Sequence, residues 1–250
     1  MTTLLLPPRY SEDSNILWRT AIRMGWNIER LQSWRVPDTL GSLEDVAIYG
    51  ESMWTNFVAE QLGLKLYEPP LNWLAQLPES FVRRRVEFLE LSGVRDKAFP
   101  LFVKPAGDKT FEARVYNSPD ELPAPKDERE STPVLTSKPV RWEVEYRCFI
   151  CEGRVETLSS YWRREDSTRI STGEYVSPPL EMEEARDFAN EVVNSQSAKE
   201  FGERGVVVDV GIIEDVGWAV IEANPAYASG IYGCDPERVL SVVASCTSVE

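Results

Sequence analysis

The stretch that decides the fold is GVVVDVGIIEDVGWAVIEANPA, residues 205–226, in which two apolar runs flank a short polar turn. Valine and isoleucine are typical of buried strands, so the stretch predicts a β-hairpin. Two carboxylates, Asp209 and Glu222, nevertheless stand inside the apolar runs. If Asp215 and Val216 are the two central residues of the turn, the register places Asp209 directly opposite Glu222.

Two facing carboxylates in an apolar hairpin need a positive partner. Opposed like charges destabilise a sheet, and partial burial raises the cost to several kcal/mol for each ion. Asn224 follows Glu222 by two residues and therefore projects from the same face of its strand. A hard divalent cation, Mg²⁺ above all, prefers such oxygen donors. The sequence predicts Asp209, Glu222 and Asn224 as metal ligands, with a solvated polar face as the alternative.

The composition excludes several classes of protein. The 250 residues suffice for one large domain or two small ones, and the net charge of −14 argues against an extended nucleic-acid surface. No apolar run approaches the roughly 20 residues of a membrane span, and the start lacks a basic leader, so we expect a cytoplasmic protein. The four cysteines are typical of reduced, packed thiols. The absence of histidine excludes histidine acid–base chemistry and histidine metal ligands.

The rest of the chain predicts an α/β amino-terminal portion followed by an α+β portion with antiparallel strands. The spacing of apolar residues predicts helices over residues 14–25, 53–62, 78–91, 183–201 and 236–246. Strand-like runs occupy residues 4–6, 46–49, 101–104, 134–135, 143–151 and 155–162. Proline and acidic residues predict a surface loop over 117–132.

Two lysines stand beside the end of an apolar strand. Lys104 directly follows residues 101–103, and Lys109 comes after a turn at Gly107. An anionic ligand would explain a lysine in this position. A side chain that only extends its ammonium to solvent is the alternative.

Two arginines are candidates on the predicted helix 78–91. Arg85 lies on its apolar side and is the first candidate for a ligand contact, with Arg84 second. The alternative is a pair with a nearby carboxylate.

Alternation in EVEYRCFI, residues 143–150, places Glu145 and Arg147 on one face of a strand. These two side chains face either a cleft or solvent. The next strand offers Arg163 or Arg164 as a further anion contact.

Taken in order, these motifs resemble the ATP-grasp superfamily. That family has a lysine on a vKP strand, a linker strand beside the adenine, an acidic-x-Arg strand, and a closing hairpin with Asp and Glu-x-Asn. The matching residues are Lys104-Pro105, the run PVLTSKPV (133–140), Glu145-Tyr146-Arg147, Asp209 and Glu222-x-Asn224. The run EYRCFICEGRV, residues 145–155, is similar to a strand pair of RimK-type glutamate ligases. The resemblance covers residues 78–235, and it extends to a small branch of the superfamily that has one arginine and two lysines in this part of the chain.

The resemblance implies an ATP-grasp fold with the nucleotide bound between two subdomains. The implied units are an amino-terminal domain, a small subdomain with the adenine linker and a large subdomain with the metal site, at residues 1–95, 96–140 and 141–250. The implied ligands are ATP and Mg²⁺, with Mn²⁺ as an alternative ion. The implied nucleotide contacts are Arg85, Lys104, Lys109, the backbone around Thr136, Ser137 and Val140, and Glu145 on the ribose.

The resemblance also assigns the remaining site residues. It implies catalytic roles for Arg147 and Arg163, whereas Asp209, Glu222 and Asn224 hold the metal. The loop PAYASGIYG, residues 225–233, would contact the substrate through Tyr227, Ser229 and Gly230.

The implied activity is ligation of a carboxylate to an amine through an acyl phosphate, a C–N bond-forming reaction on small-molecule or peptide substrates. The alternatives are a small-molecule kinase and a non-catalytic nucleotide-binding interaction module. Two positions depart from the family pattern: the phosphate loop AGDKTFEA, residues 106–113, has one glycine, and Val207 stands where an arginine often precedes the metal aspartate. The sequence identifies neither the substrates nor the oligomeric state.

Overall fold

The computed structural model describes residues 1–40, 45–107, 109–124, 130–164, 169, 174–195 and 201–249. The α-helices in these ranges are α1 Glu12–Arg23, α2 Ser52–Gln61, α3 Trp73–Gln76, α4 Glu79–Val82, α5 Pro179–Asn194 and α6 Pro236–Ala244. The strands are β1 Thr3–Leu6, β2 Asn27–Arg30, β3 Val46–Ile48, β4 Leu64–Leu66, β5 Val86–Glu90, β6 Leu101–Pro105, β7 Arg114–Tyr116, β8 Pro133–Ser137, β9 Trp142–Cys151, β10 Arg154–Arg163, β11 Val206–Ile213, β12 Gly217–Pro225 and β13 Thr247–Val249.

The amino-terminal portion is an α/β unit around a parallel sheet of order β2-β1-β3. β1 is buried along its whole length, as expected for a central parallel strand of continuous apolar sequence. Ser11 caps α1 in a reciprocal capping box with Ser14, which fixes the start of the helix. β4 pairs with β13, so the last strand returns to this part of the molecule.

The second sheet is antiparallel, in the order β5-β8-β6-β7. It contradicts the helix predicted over 78–91, because α4 ends after Val82 at Arg83, a residue with a positive φ of 53°. The chain then continues as β5 along the edge of β8. The apolar residues of 78–91 suit either structure, and the pairing with β8 decides between them.

The third sheet is antiparallel, in the order β10-β9-β11-β12. One of its faces packs against α5 in a core that includes Tyr146, Cys148 and Val208. The opposite face begins apolar, with Phe149 and Val207 packed against the amino-terminal sheet and α6. Further along the strands this face becomes polar.

The predicted fold class is confirmed: an α/β portion precedes antiparallel sheets. The boundaries proposed at residues 95 and 140 stay predictions. Asp235 caps α6 as predicted, since its side chain accepts hydrogen bonds from the backbone N–H groups of Glu237 and Arg238. The predicted helix 183–201 corresponds to α5 but ends earlier, at Asn194, because Ser195 is extended and Phe201 is not helical. Residues 196–200 lie outside the described ranges, as do 125–129 of the predicted loop. No helix in the described parts of the chain has the length and apolar character needed to cross a bilayer.

Candidate functional site

The β11–β12 hairpin places Asp209 directly opposite Glu222, which confirms the predicted pairing. On its other side, Asp209 pairs with Arg147 of β9. The three residues therefore form one rung across the middle of the sheet. Because paired residues project from the same face, an acidic, a basic and another acidic side chain meet there.

The turn that produces this register differs from the predicted one. Ile213 pairs with Gly217, so three residues rather than two form the connection. Continued without interruption, that register would place Ile221 opposite Asp209. A β-bulge after Asp209 shifts the pairing by one residue and brings Glu222 into place.

Arg147 holds Asp209 through two parallel hydrogen bonds, from Nε to Oδ1 at 3.0 Å and from Nη2 to Oδ2 at 2.7 Å. Asp209 is completely buried, and the side chain of Arg147 is 10% exposed. Burial disfavours the charge of Arg147, but Asp209 more than compensates and raises the arginine pKa. The third guanidinium nitrogen, Nη1, donates to the carbonyl oxygen of Gly230 at 3.2 Å.

Lys104 and Glu222 join the second and third sheets. The ammonium of Lys104, on β6, contacts Glu222 Oε2 on β12. Asn224 donates from Nδ2 to Glu222 Oε1 at 2.9 Å. Burial opposes ionisation of Glu222, yet the charge and hydrogen bond of Lys104, together with Asn224, lower its pKa. The ion pair thus joins the two antiparallel sheets where they meet, at a junction that we call the cleft.

Glu145 lies on the same polar face and accepts a hydrogen bond from the Tyr161 hydroxyl at 2.5 Å. Burial raises the pKa of Glu145, with nearby Asp209 adding to the effect. The ring of Tyr161 stacks on Tyr232 at 4.9 Å, and both rings lie beside the guanidinium of Arg147, at 5.3 and 5.0 Å. Neither tyrosine was assigned a role of its own from the sequence, although Tyr232 lies in the predicted substrate loop 225–233 and strict alternation with Ser159 would place Tyr161 on this face.

The predicted metal ligands have the chemistry that suits a hard cation. Asp209, Glu222 and Asn224 supply two carboxylates and one amide, and all four carboxylate oxygens accept hydrogen bonds in this structure. Each oxygen has a second lone pair, so these bonds leave acceptor capacity for an ion. Histidine, cysteine, aspartate and glutamate form no metal-binding group of three or more among the described residues. The set fits Mg²⁺ because an amide and phosphate oxygens can complete the coordination shell.

Arg163 does not lie on the same face of the sheet as Arg147. A bulge between Ser160 and Trp162 turns Arg163 to the opposite face of the sheet, where it contacts Glu181. Glu181 also accepts a hydrogen bond from the hydroxyl of Tyr146 at 2.5 Å. The catalytic role assigned to Arg163 therefore has no support from its position.

The two arginines after α4 have opposite environments. Arg85 is 81% exposed and pairs with Glu87 at 2.8 Å. Arg84 donates from Nη1 to the carbonyl oxygen of Val220 at 2.9 Å and lies 5.2 Å from the ring of Trp142. Burial lowers the pKa of Arg84 to about 10. Arg85 was preferred as a ligand contact because of its place on a predicted helix. This reason no longer holds, since the helix ends at Val82.

The other predicted nucleotide contacts are distributed along the second sheet. Lys109 is exposed and directly follows residue 108, which lies outside the described ranges. Thr136 and Ser137 are buried at the end of β8, and the Thr136 hydroxyl has no hydrogen-bond partner among the described residues. Val140 is half-buried in the short connection to β9.

The loop that follows β12 places its three predicted substrate residues differently. Tyr227 is fully buried, and its hydroxyl contacts Glu68, so its side chain packs behind the loop. Ser229 is buried and donates to the carbonyl oxygen of Pro225 at 2.8 Å. Gly230 lies directly against Arg147.

Residues 81–242 match a family model described as an ATP-grasp domain, family 2 of a clade within the superfamily. The chain belongs to this ATP-grasp family. The match begins at α4 and ends in α6, so it includes both antiparallel sheets and the whole cleft of this ATP-grasp chain. No curated protein matches the chain by sequence.

Solved structures share the fold at low sequence identity. The ATP-grasp ligase PsnB complexed with minimal precursor has a TM-score of 0.59 at 13% identity, covering 97% of this chain and 99% of PsnB. PsnB with minimal precursor, Mg and ADP has a TM-score of 0.57 at 14% identity, with 96% of each chain covered. The D-alanine–D-alanine ligase of Bacillus anthracis with ATP has a TM-score of 0.53 at 14% identity, covering 98% of this chain and 95% of the ligase.

Proposed function

We propose that this ATP-grasp protein is an ATP- and Mg²⁺-dependent ligase that joins a carboxylate to an amine through an acyl phosphate. The observation that carries the proposal is the convergence of Arg147, Asp209 and Glu222 on one rung, with Lys104 reaching them from the other sheet. Family membership and the ligases that share the fold support it further. The substrates are a small-molecule or peptide carboxylate and an amine.

The nucleotide would lie in the cleft that Lys104 and Glu222 span. Lys104 is 19% exposed and makes its ion pair at the cleft, so a polyphosphate can reach its ammonium. Glu145 is held by Tyr161 on the same face and would accept hydrogen bonds from the ribose hydroxyls. The backbone at the end of β8, around Thr136, Ser137 and Val140, would receive the adenine.

The phosphate end of the nucleotide carries the charge that this site must neutralise. Asp209, Glu222 and Asn224 would hold the magnesium ion, which supplies charge neutralisation and orientation of the phosphate oxygens when bound. Lys104 would then transfer its contact from Glu222 to a phosphate oxygen. The proposed mechanism thus gives Lys104 an anionic partner in both states.

In the first chemical step, an oxygen of the substrate carboxylate attacks the γ-phosphorus and ADP leaves, which forms the acyl phosphate. In the second step, the amine attacks the acyl carbon, inorganic phosphate leaves, and the nitrogen loses a proton. Arg147 is positioned by Asp209 and flanked by two tyrosine rings, so its guanidinium is fixed before charge develops on the acyl oxygen. Neither step requires histidine, which the chain lacks.

The test is release of ADP and phosphate by the whole chain with ATP and Mg²⁺ against pooled amino acids and peptides, with the product identified by mass. A ligase releases both only when a carboxylate and an amine are present. Release of ADP without phosphate would identify a kinase, and tight ATP binding without turnover would identify a binding module. Glu222→Gln should abolish turnover while the fold is retained, and full activity of this variant would refute the proposed site.

A further inference from the structure

A cavity of about 500 Å³ lies next to the proposed ligation site. Its walls come from the first turns of α1, from residues 174–176, and from Tyr232 and Gly233 in the loop after β12. Tyr232 also stacks on Tyr161 and lies beside Arg147, so one ring contacts both the cavity and the proposed site. The cavity is therefore a neighbour of the site and lies outside the metal rung.

The cavity is closest to the site at Asp13. Its Oδ2 atom accepts a hydrogen bond from the backbone N–H of Ile231 at 3.2 Å and lies 3.3 Å from the hydroxyl of Tyr49. A Cβ atom on Gly230 would be 3.5 Å from this oxygen and 3.7 Å from Nη1 of Arg147. The carboxylate and the guanidinium thus face each other across one glycine. Both groups that donate to Asp13 are neutral, and the guanidinium of Arg169 interacts with this carboxylate only through its charge.

Aromatic rings accompany the carboxylate. Tyr175 and Tyr232 meet edge to face at 5.8 Å, with an angle of 75° between their planes. Tyrosine rings and a nearby carboxylate together favour an organic cation, because the ring face and the carboxylate are both negative.

Arg169 makes a contact of this kind within the chain. Its guanidinium contacts Glu12 and lies 5.7 Å from the ring of Tyr175, both of which line the cavity. Of the lining carboxylates, Glu12 is held by this internal pair, whereas Asp13 accepts its hydrogen bonds from neutral groups. A ligand with a positive group is thus favoured over a neutral or anionic one.

We propose that this cavity binds an ammonium or guanidinium group of the substrate, an inference that rests on the ligase function proposed above. The bound cation would lie against Asp13, Tyr175 and Tyr232, while the remainder of the molecule passes Gly230 to reach Arg147. The substrate class is therefore a basic amino acid or a peptide with a basic residue at this position. The cationic group is the part of the substrate that is recognised, whereas the reacting group is the part that reaches Arg147.

The experiment compares pairs of probes that differ in charge and little in shape. Binding of L-arginine against L-citrulline, and of L-lysine against L-norleucine, is measured by calorimetry on the full chain without nucleotide. At least one cation should bind about tenfold or more tightly than its neutral partner, as expected for a charged hydrogen bond with aromatic contacts. Equal affinities within both pairs, or no binding of either cation, overturn the inference.

Two variants locate the binding. Asp13→Asn should weaken binding of the cation about tenfold, whereas Asp215→Asn removes the same charge from an exposed turn and should leave it unchanged. If Asp13→Asn unfolds, Tyr175→Leu removes a ring from the wall and should also weaken binding. If both variants fold and bind the cation as tightly as the wild type does, the assignment of the cavity is wrong.

Because these measurements need no nucleotide, they separate the two proposals. Cation binding without any ADP release would refute the proposed ligase function and support the proposed cation site. Ligation of substrates that lack a basic group would support the proposed ligase function and refute the proposed cation site.

Discussion

Arg147 and Asp209 hold each other through two parallel hydrogen bonds at a place where the carboxylate is completely buried. Neither charge can be removed without leaving the other in a dry environment. The same aspartate is the proposed metal ligand, so one side chain both positions an arginine and offers oxygen to a cation.

The first prediction concerns the stability of this pair. Asp209→Asn should destabilise the fold by about 3–5 kcal/mol, because the buried guanidinium of Arg147 loses its counter-charge. The free energy of unfolding in urea measures the effect, with Asp215→Asn on an exposed turn as the control. The double variant Arg147→Met with Asp209→Leu should lose less than the two single changes together, since it leaves no unpaired charge. A loss below about 1 kcal/mol for Asp209→Asn would indicate that solvent reaches the pair.

The second prediction compares two lysines that each pair with a glutamate. Lys104 contacts Glu222 in the cleft, whereas Lys97 contacts Glu87 at 2.9 Å elsewhere on the second sheet. Lys104→Met should reduce the rate of ADP release by about 10²–10³, the usual effect of removing one group that stabilises a transition state. Lys97→Met should change stability by less than about 1 kcal/mol and leave the rate intact. Similar rates for the two variants would place the phosphates away from Lys104.

The pairing of Asp209 with Glu222 was predicted correctly from the sequence, although the predicted two-residue turn was wrong. The connection has one residue more than the predicted two-residue turn, and the bulge after Asp209 shifts the register back by one. A second bulge, between Ser160 and Trp162, removes Arg163 from the face on which simple alternation would place it beside Tyr161. Bulges carry little local signal in the chain, because they arise from pairing with neighbouring strands.

The segment 78–91 was mispredicted for a similar reason. Its apolar residues allow both periods, and only the edge of β8, which lies more than 40 residues further on, selects a strand. The family and the pairing of Asp209 with Glu222 were within reach of the sequence, whereas their role as metal ligands stays a prediction. The partners of each lysine and arginine side chain could not be predicted, since they depend on which sheets face each other.

A third prediction separates the two arginines after α4. Arg84 packs against Trp142 and donates to the carbonyl oxygen of Val220. Among the described residues, no carboxylate forms a salt bridge with it. A half-buried guanidinium of this kind is available to an anion. Arg84→Met should raise the KM for ATP about tenfold to hundredfold, as for one lost charged hydrogen bond. Arg85→Met should change the KM less than about twofold, because Arg85 is exposed and paired with Glu87. The reverse order would restore the assignment made from the sequence.

The last prediction concerns Glu145, whose pKa is raised by burial. The folded protein binds the Glu145 proton more tightly than the unfolded chain does, so the charged side chain opposes folding. This cost is absent below the ordinary glutamate pKa of about 4.3 and is complete once the pH has passed the raised value. Glu145→Gln still accepts the hydrogen bond of Tyr161 but carries no charge. Relative to the wild type, the variant should therefore gain free energy of unfolding as the pH rises from about 4 to about 8.

Glu214 provides a control of opposite sign for this prediction. A hydrogen bond from Arg164 lowers the pKa of Glu214, so its charge stabilises the fold above the ordinary pKa, and this effect is lost as the pH falls through the lowered value. Glu214→Gln should become less stable than the wild type as the pH rises. Urea unfolding of both variants at the two pH values tests the signs, and a pH-independent difference for Glu145→Gln would show that Glu145 is solvated. The KM for ATP of Glu145→Gln should rise at the same time, as expected from the proposed contact of this carboxylate with the ribose.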